Sequence, residues 1–330
     1  MVFRTSLVRA VRRFAAGIDI SPQAVRLVVL SRRLRGDGPV RIECIASVPL
    51  RAGAMAGAEI VDRAAVAQAM CELFECLPTE HLAPSLRCAM AIPASATLTA
   101  SVPLAQLAPR NVSLNGSHYV DRHLLATLEP AVMTEAERIA GIERHALAVD
   151  WFFDESPRRI GSVTIAATAR QHLEARIECA AIAGVSLTAV DGEPHAALRA
   201  IRHAAALELD THGTYVAIWV GADGVYGWRV ADDLVAAEMR YPAPEYAGLA
   251  DALRDVGGGC VIGCALVAGE IDLLDGVRFS LADIGDVLGC SVLPFQCAPL
   301  GDVVQPFLSE LLQEPACAVA FGLALRGVIE

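Results

Sequence analysis

Lysine is absent from this chain, all 27 of its Lys and Arg positions being arginine. No lysine can therefore grip a phosphate, form a Schiff base or act as a general base. Aromatic residues are scarce, 5% of the chain against 54% hydrophobic residues in all, so the core has to be built from Ala, Val, Leu and Ile. The 10 cysteines never fall as C-x-x-C. Cys71 with Cys76, Cys260 with Cys264, and Cys290 with Cys297 have neither zinc nor dithiol spacing, which points to buried, inert thiols for nearly all of them, in a reducing compartment. A membrane-length apolar run is missing too. The longest charge-free stretch, Cys88 to Pro109, holds Pro93 and Pro103 and alternates like strands. The N-terminus is basic but lacks an apolar signal core and cleavage site, so a cytoplasmic protein is expected. A formal charge of −11 argues against nucleic acid as a partner, since phosphate contacts need a basic field.

What is present is an α/β pattern over 330 residues, enough for two domains or one elaborate one. Residues 2–14 interleave Arg4, Arg9, Arg12 and Arg13 with apolar positions. They read as a basic amphipathic helix able to lie on an acidic membrane or partner, or as a plain tail. Ala16 to Ser21 and Ala24 to Leu30 then read as strand, tight turn and strand. Asp19 ends the first strand and Ser21 opens the turn, an arrangement that can present turn amides and a hydroxyl to a phosphate. A simple hairpin explains the same residues.

Three strands to about Val48 are followed by a helix from Arg63 to Leu77, with Asp62 as its N-cap, and by a strand from Arg87 to Ile92. Strands over 97–102 and 160–167 enclose a helix-rich portion. The helix from Gln171 to Ala183 is predicted to turn Leu173, Ile177 and Ala181 inward and to end at Gly184. A second strand–turn–strand, Tyr215 to Val230, parallels the first and gives an internal pseudo-repeat. Short strands follow near 260–267 and 291–295. The apolar helix from Ala316 to Gly327 must be buried, with Gly322 permitting close approach to a strand or loop.

That last helix, "AVAFGLALRG" at 318–327, resembles the closing helix of the PilM family of actin-like type IV pilus proteins. "GIDISPQAVRLVVL", "EIVDRAAVAQAM", "AMAIPASATLTASVPL" and "VTIAATARQHLEARIECAAIAGVSLTAVDGEPHAALRA" resemble successive pieces of the same family, the compact length being closest to its HofM branch. The resemblance implies an actin-like fold of two RNase H-like halves with an inserted subdomain of the FtsA type. The organisation expected is a tail over 1–14, a first half over 15–93 completed by 185–211 and 315–330, an insertion over 94–184, and a reduced second half over 212–314. It further implies a scaffold at the cytoplasmic face of the inner membrane, in contact with other pilus platform proteins. Its partner would be the cytoplasmic N-terminal tail of a PilN-type membrane protein, held in a groove beside the insertion. A GspL-like type II secretion subunit shares the fold, but continues into a transmembrane helix and periplasmic domain not found in these residues.

An actin-like ATPase needs both hairpin turns for phosphate and metal, and a glycine loop for adenosine. A residual nucleotide site would comprise Gly17, Asp19, Ser21 and Gly221. Where PilM carries Asp-x-Gly in the second hairpin, this chain has Trp219-Val220-Gly221, and an indole cannot hold a metal-bound water. Asp223 is a poor substitute. The adenosine loop would be Ala268-Gly269-Glu270 or Gly257-Gly258-Gly259. No hydrolysis and no resident cofactor are therefore expected, ATP with magnesium being what the fold could hold. Asp191, Glu193 and His195 read better as a strand end entering a Pro-initiated helix than as an acid/base cluster. Ser95 lacks the glycines of a nucleophile elbow, and His118 with His123 lack metal-ligand spacing.

Overall fold

The computed structural model describes residues 12–34, 38–77, 86–107, 122–153, 161–209, 213–243, 248–300, 302–303 and 309–329, with backbone alone for 122–125, 302–303 and 309. The chain divides into two compact units, Met1–Pro93 with Arg176–Glu330, and Ala94–Ala175. The first unit opens with β1 (Arg12–Ile20), β2 (Ala24–Arg33), β3 (Arg41–Pro49), the short β4 (Met55–Ala56) and β5 (Glu59–Ile60), α1 (Arg63–Glu75) and β6 (Arg87–Ile92). The second unit holds β7 (Leu98–Pro103), α2 (Leu104–Leu107), α3 (Arg122–Ala140), β8 (Leu147–Phe153) and β9 (Ser162–Ala169). Helix α4 (Arg170–Ile182) leads back to β10 (Leu187–Gly192), α5 (Glu193–Glu208), β11 (Tyr215–Gly221), β12 (Gly224–Ala231) and β13 (Leu234–Pro242). The chain closes with α6 (Leu249–Gly257), β14 (Cys264–Gly269), α7 (Leu281–Leu288), β15 (Ser291–Pro294), β16 (Asp302–Val303), α8 (Ser309–Gln313) and α9 (Ala318–Ile329).

The first unit contains the same sheet twice. One sheet runs β10-β6-β1-β2-β3-β16 and the other β15-β14-β11-β12-β13. In each, a three-strand antiparallel meander carries two parallel strands on the edge of its first member. The pseudo-repeat read from the two hairpins is thus a repeat of topology. In the second half, Val216, Ile218 and Val220 of β11 and Ala265 and Val267 of β14 turn one face onto Leu249, Leu253 and Val256 of α6 and Ile284 of α7.

Helix α9 is apolar nearly all round because it is buried nearly all round. It lies on β1 at Gly17, where a Cβ would stand 1.9 Å from the Ala320 carbonyl oxygen. Gly322 serves the other contact, since its Cβ would meet the Ala196 carbonyl of α5 at 1.9 Å. The partner that Gly322 admits is a helix; the glycine that admits a strand is Gly17. Helix α1 forms as read, with Asp62 accepting from the Ala65 amide at 2.9 Å and Val66, Met70 and Leu73 buried.

Three local expectations change. Residues 12–14 of the supposed basic helix are strand, β1 pairing Arg12 with Arg33 and Phe14 with Ser31; residues 1–11 lie outside the described residues. Helix α4 buries Ala175, Arg176, Cys179 and Ala180, and leaves Ile177 48% exposed and Ala181 exposed. Its inward face is set by Arg176, whose Nε donates to the Ala91 carbonyl at 2.7 Å and so completes the end of β6. Small apolar residues and one guanidinium therefore face inward, while Ile177 and Ala181 face outward. In the second unit β8 is a strand where the sequence pattern predicts a helix-rich portion. It pairs with β9, and Leu147, Val163 and Ile165 of this sheet pack on Leu128, Val132 and Ala136 of α3.

Candidate functional site

The first hairpin pairs Asp19 with Arg26 across β1 and β2. Its turn is closed by Ser21, whose hydroxyl oxygen accepts from the amides of Gln23 at 3.3 Å and Ala24 at 3.2 Å. The same oxygen accepts from Arg26 Nη1 at 3.1 Å. The hydroxyl and the turn amides, the groups that would face a phosphate, thus hydrogen-bond one another. Gly17, three strands from the sheet edge, is taken up by α9 as described above.

Arg26 is 4% exposed and anchors a buried charge cluster. Its Nη1 lies 3.7 Å from Asp19 Oδ2 and 2.9 Å from Glu270 Oε1, while its Nη2 lies 3.6 Å from Glu314 Oε1. Glu270 directly follows β14 and Glu314 precedes α9, so one guanidinium ties the first hairpin to the second half and to the approach of the C-terminal helix. Burial pushes the Asp19 carboxyl up to about 6, with Glu270 adding to the rise and Arg26, Arg176 and the Ile20 amide opposing it. Arg176 adds a further buried cation; burial depresses its pKa, and Glu193, Cys179 and Asp19 counter this.

The second hairpin is built around Trp219, itself 4% exposed. Its indole lies over the turn: a Cβ on Gly221 would stand 2.4 Å from Trp219 Cη2, and one on Gly269 3.0 Å from Trp219 Cδ1. Gly269 has φ +95°, and the following Glu270 amide donates to the Val220 carbonyl at 2.9 Å. Trp219 thus occupies the space between the turn glycine and the loop glycine. It packs on Tyr226 with ring centroids 5.3 Å apart, and Arg240 caps that tyrosine at 5.5 Å. Asp223 sits in the turn and accepts from the Tyr226 hydroxyl at 3.5 Å.

Parallel register separates the two candidate adenosine loops. Gly269 is level with Val220 at the turn end of β11, whereas Cys264, which follows the Gly257–Gly259 triplet, is level with Tyr215 at the other end. Only Ala268-Gly269-Glu270 is placed at the hairpin end. Asp191 is held by Arg199 at 2.9 Å and Arg326 at 3.4 Å, and Gly192 caps α5, so the strand end and helix start account for these residues; His195 is exposed. Ser95 is exposed in a single helical turn. His118 and the side chain of His123 lie outside the described residues. The ten cysteines are unpaired; burial pushes Cys44, Cys88 and Cys317 up to about 12, as inert thiols require, whereas Cys76 and Cys260 are exposed, against the expectation of burial.

Arg26, Arg176 and Glu314 escaped the sequence reading. The signal for Arg26 is a lone charge in the apolar run Ala24–Leu30, which a buried strand tolerates only if the charge is paired.

Residues 17–224 match the family described as "Type IV pilus assembly protein PilM". Among solved structures, the "PilM-PilN type IV pilus biogenesis complex" is similar at 21% identity and TM-score 0.68, over 96% of this chain and 99% of that one. The ethanolamine utilization protein EutJ from Carboxydothermus hydrogenoformans follows at 14% identity and TM-score 0.45, over 95% of this chain and 89% of its own. The cytoplasmic domain of EpsL from Vibrio cholerae gives 10% identity and TM-score 0.45, over 91% and 92%. No curated protein sequence matches.

Proposed function

The chain belongs to the PilM family of type IV pilus assembly proteins, and on that premise we propose that it is a non-hydrolysing scaffold of the pilus platform. It has the actin-like fold of that family. The observation that carries the reading is the filled cleft. Both turns that would cradle phosphate are engaged: the first by the Ser21 hydroxyl and Arg26, the second by the Trp219 indole. Glu270 puts a carboxylate where a polyphosphate would need donors, and Arg26 is already bound to it. Mg-ATP does not fit these residues, because its anions would have to displace an acid–arginine pair and an aromatic ring at once.

With the nucleotide site given over to internal bonds, what remains for the fold to do is bind partners. The partner class we assign is the cytoplasmic N-terminal tail of a PilN-type membrane protein, by analogy with the PilM-PilN complex of similar fold. No helix among the described residues is long and apolar enough to cross a membrane. Attachment at the inner-membrane face would then come through such a partner, with other platform proteins. Titration of the purified full chain with a synthetic PilN-type tail peptide, followed by calorimetry, should give saturable one-to-one binding. A flat isotherm over a wide concentration range, with a scrambled peptide behaving the same, would remove the proposal's main support.

A further inference from the structure

One end of the first sheet carries a charge opposite to that of the molecule. At the end remote from the Ser21 turn, β1 begins with Arg12-Arg13, β2 ends with Arg32-Arg33, β3 begins with Arg41 and β6 begins with Arg87. The register sets them at one end of four adjacent strands: Arg12 is opposite Arg33, and Ser31 opposite Arg41, on one face, while Arg13 is opposite Arg32, and Ala15 opposite Arg87, on the other. Arg12 is turned inward, its Nε donating to Ser31 Oγ at 2.8 Å and lying 3.9 Å from Glu43. Arg33 and Arg87 are exposed, and Arg13, Arg32 and Arg41 are half-buried. Asp302 of β16 takes the register position opposite Arg41; with Glu43 it is the acid that these strands place at this end.

Cross-strand pairs of like charge weaken a sheet; Arg12 is balanced by Glu43, while Arg33 opposite it and Arg13 opposite Arg32 add cationic groups to this end. They stand out on a chain of formal charge −11. Beside them Leu34 is 54% exposed. An apolar side chain among guanidinium groups suits a headgroup layer, where cations meet lipid phosphates and the apolar group enters the acyl boundary. We propose that this arginine end of the first sheet is a docking surface for an anionic phospholipid bilayer. It deepens the platform reading by adding a direct membrane contact, and it does not depend on peptide binding.

The test is co-sedimentation of the full chain with vesicles of phosphatidylglycerol and phosphatidylcholine in equal parts, against vesicles of phosphatidylcholine alone. Binding to the anionic vesicles is expected, weakening as salt shortens the range of the field. A basic residue close to an anionic surface contributes roughly fivefold in partitioning, so Arg33→Gln alone should lose about fivefold and Arg33→Gln with Arg87→Gln about 25-fold. Arg254→Gln, an exposed change of equal charge on α6, should bind as wild type. Melting curves for each variant separate lost binding from lost folding. Equal binding by the double variant and wild type, or no binding to anionic vesicles at low salt, overturns the proposal. Tighter binding to a mixed-sequence oligonucleotide than to the vesicles would assign the surface to nucleic acid instead and equally overturn it.

Discussion

Asp19 shows what burial does to a carboxyl even when a guanidinium stands opposite it. Buried opposite Arg26, its carboxyl titrates near 6 instead of 3.8, chiefly through desolvation. A folded-state pKa above the unfolded one means that the folded state binds the proton more tightly. The stabilisation is complete below about 4 and disappears as pH rises through about 6, leaving the ionised carboxyl a cost of up to about 3 kcal/mol at neutral pH. Asp19→Asn should therefore not lower the melting temperature at pH 7, because Arg26 keeps Glu270 at 2.9 Å. It should also flatten the decline of wild-type stability between pH 4 and 7. Denaturant melts across that range measure both; a loss of several degrees at pH 7 would mean that attraction to Arg26 outweighs burial.

The contact between β1 and α9 is governed by the absence of a side chain at Gly17. A methyl group there would meet backbone, at 1.9 Å from the Ala320 oxygen and 2.7 Å from the Ala324 nitrogen, so no rotamer change relieves it. Gly17→Ala should destabilise by about 3 kcal/mol or more, a fall in melting temperature of roughly 6–12 °C. Gly276→Ala, where an added Cβ has open space and φ is not in the left-handed region, should be nearly neutral in the same melt. Helix α4 teaches the complementary lesson. Its outward face carries Ile177 and its inward face Arg176, because Arg176 hydrogen-bonds to the end of β6.

For the whole molecule the repeated sheet supplies two equivalent turns, and this chain has filled both. Differential scanning fluorimetry with millimolar Mg-ATP is expected to leave the melting temperature unchanged. A ligand at 100 times its Kd would add about 2.7 kcal/mol, so even weak site-specific binding is visible. A rise that disappears in Asp19→Ala would restore the nucleotide-binding reading.

The hairpins, the α1 N-cap and the apolar C-terminal helix could all be read from the linear chain, because each rests on neighbours within a few residues. Arg26 could have been read as well, since a charge inside a buried strand demands a partner. Which partner it takes could not. Glu270 and Glu314 lie more than two hundred residues away in sequence, and only packing brings them to Arg26. In the same way arginines that are unremarkable along the sequence gather at one end of a sheet when β1, β2, β3 and β6 align. Sequence by itself determined the fold, through patterns of neighbouring residues and the family they match. Tertiary structure decided what fills the cleft and where charge gathers, since both depend on register and on contacts between strands distant in the chain.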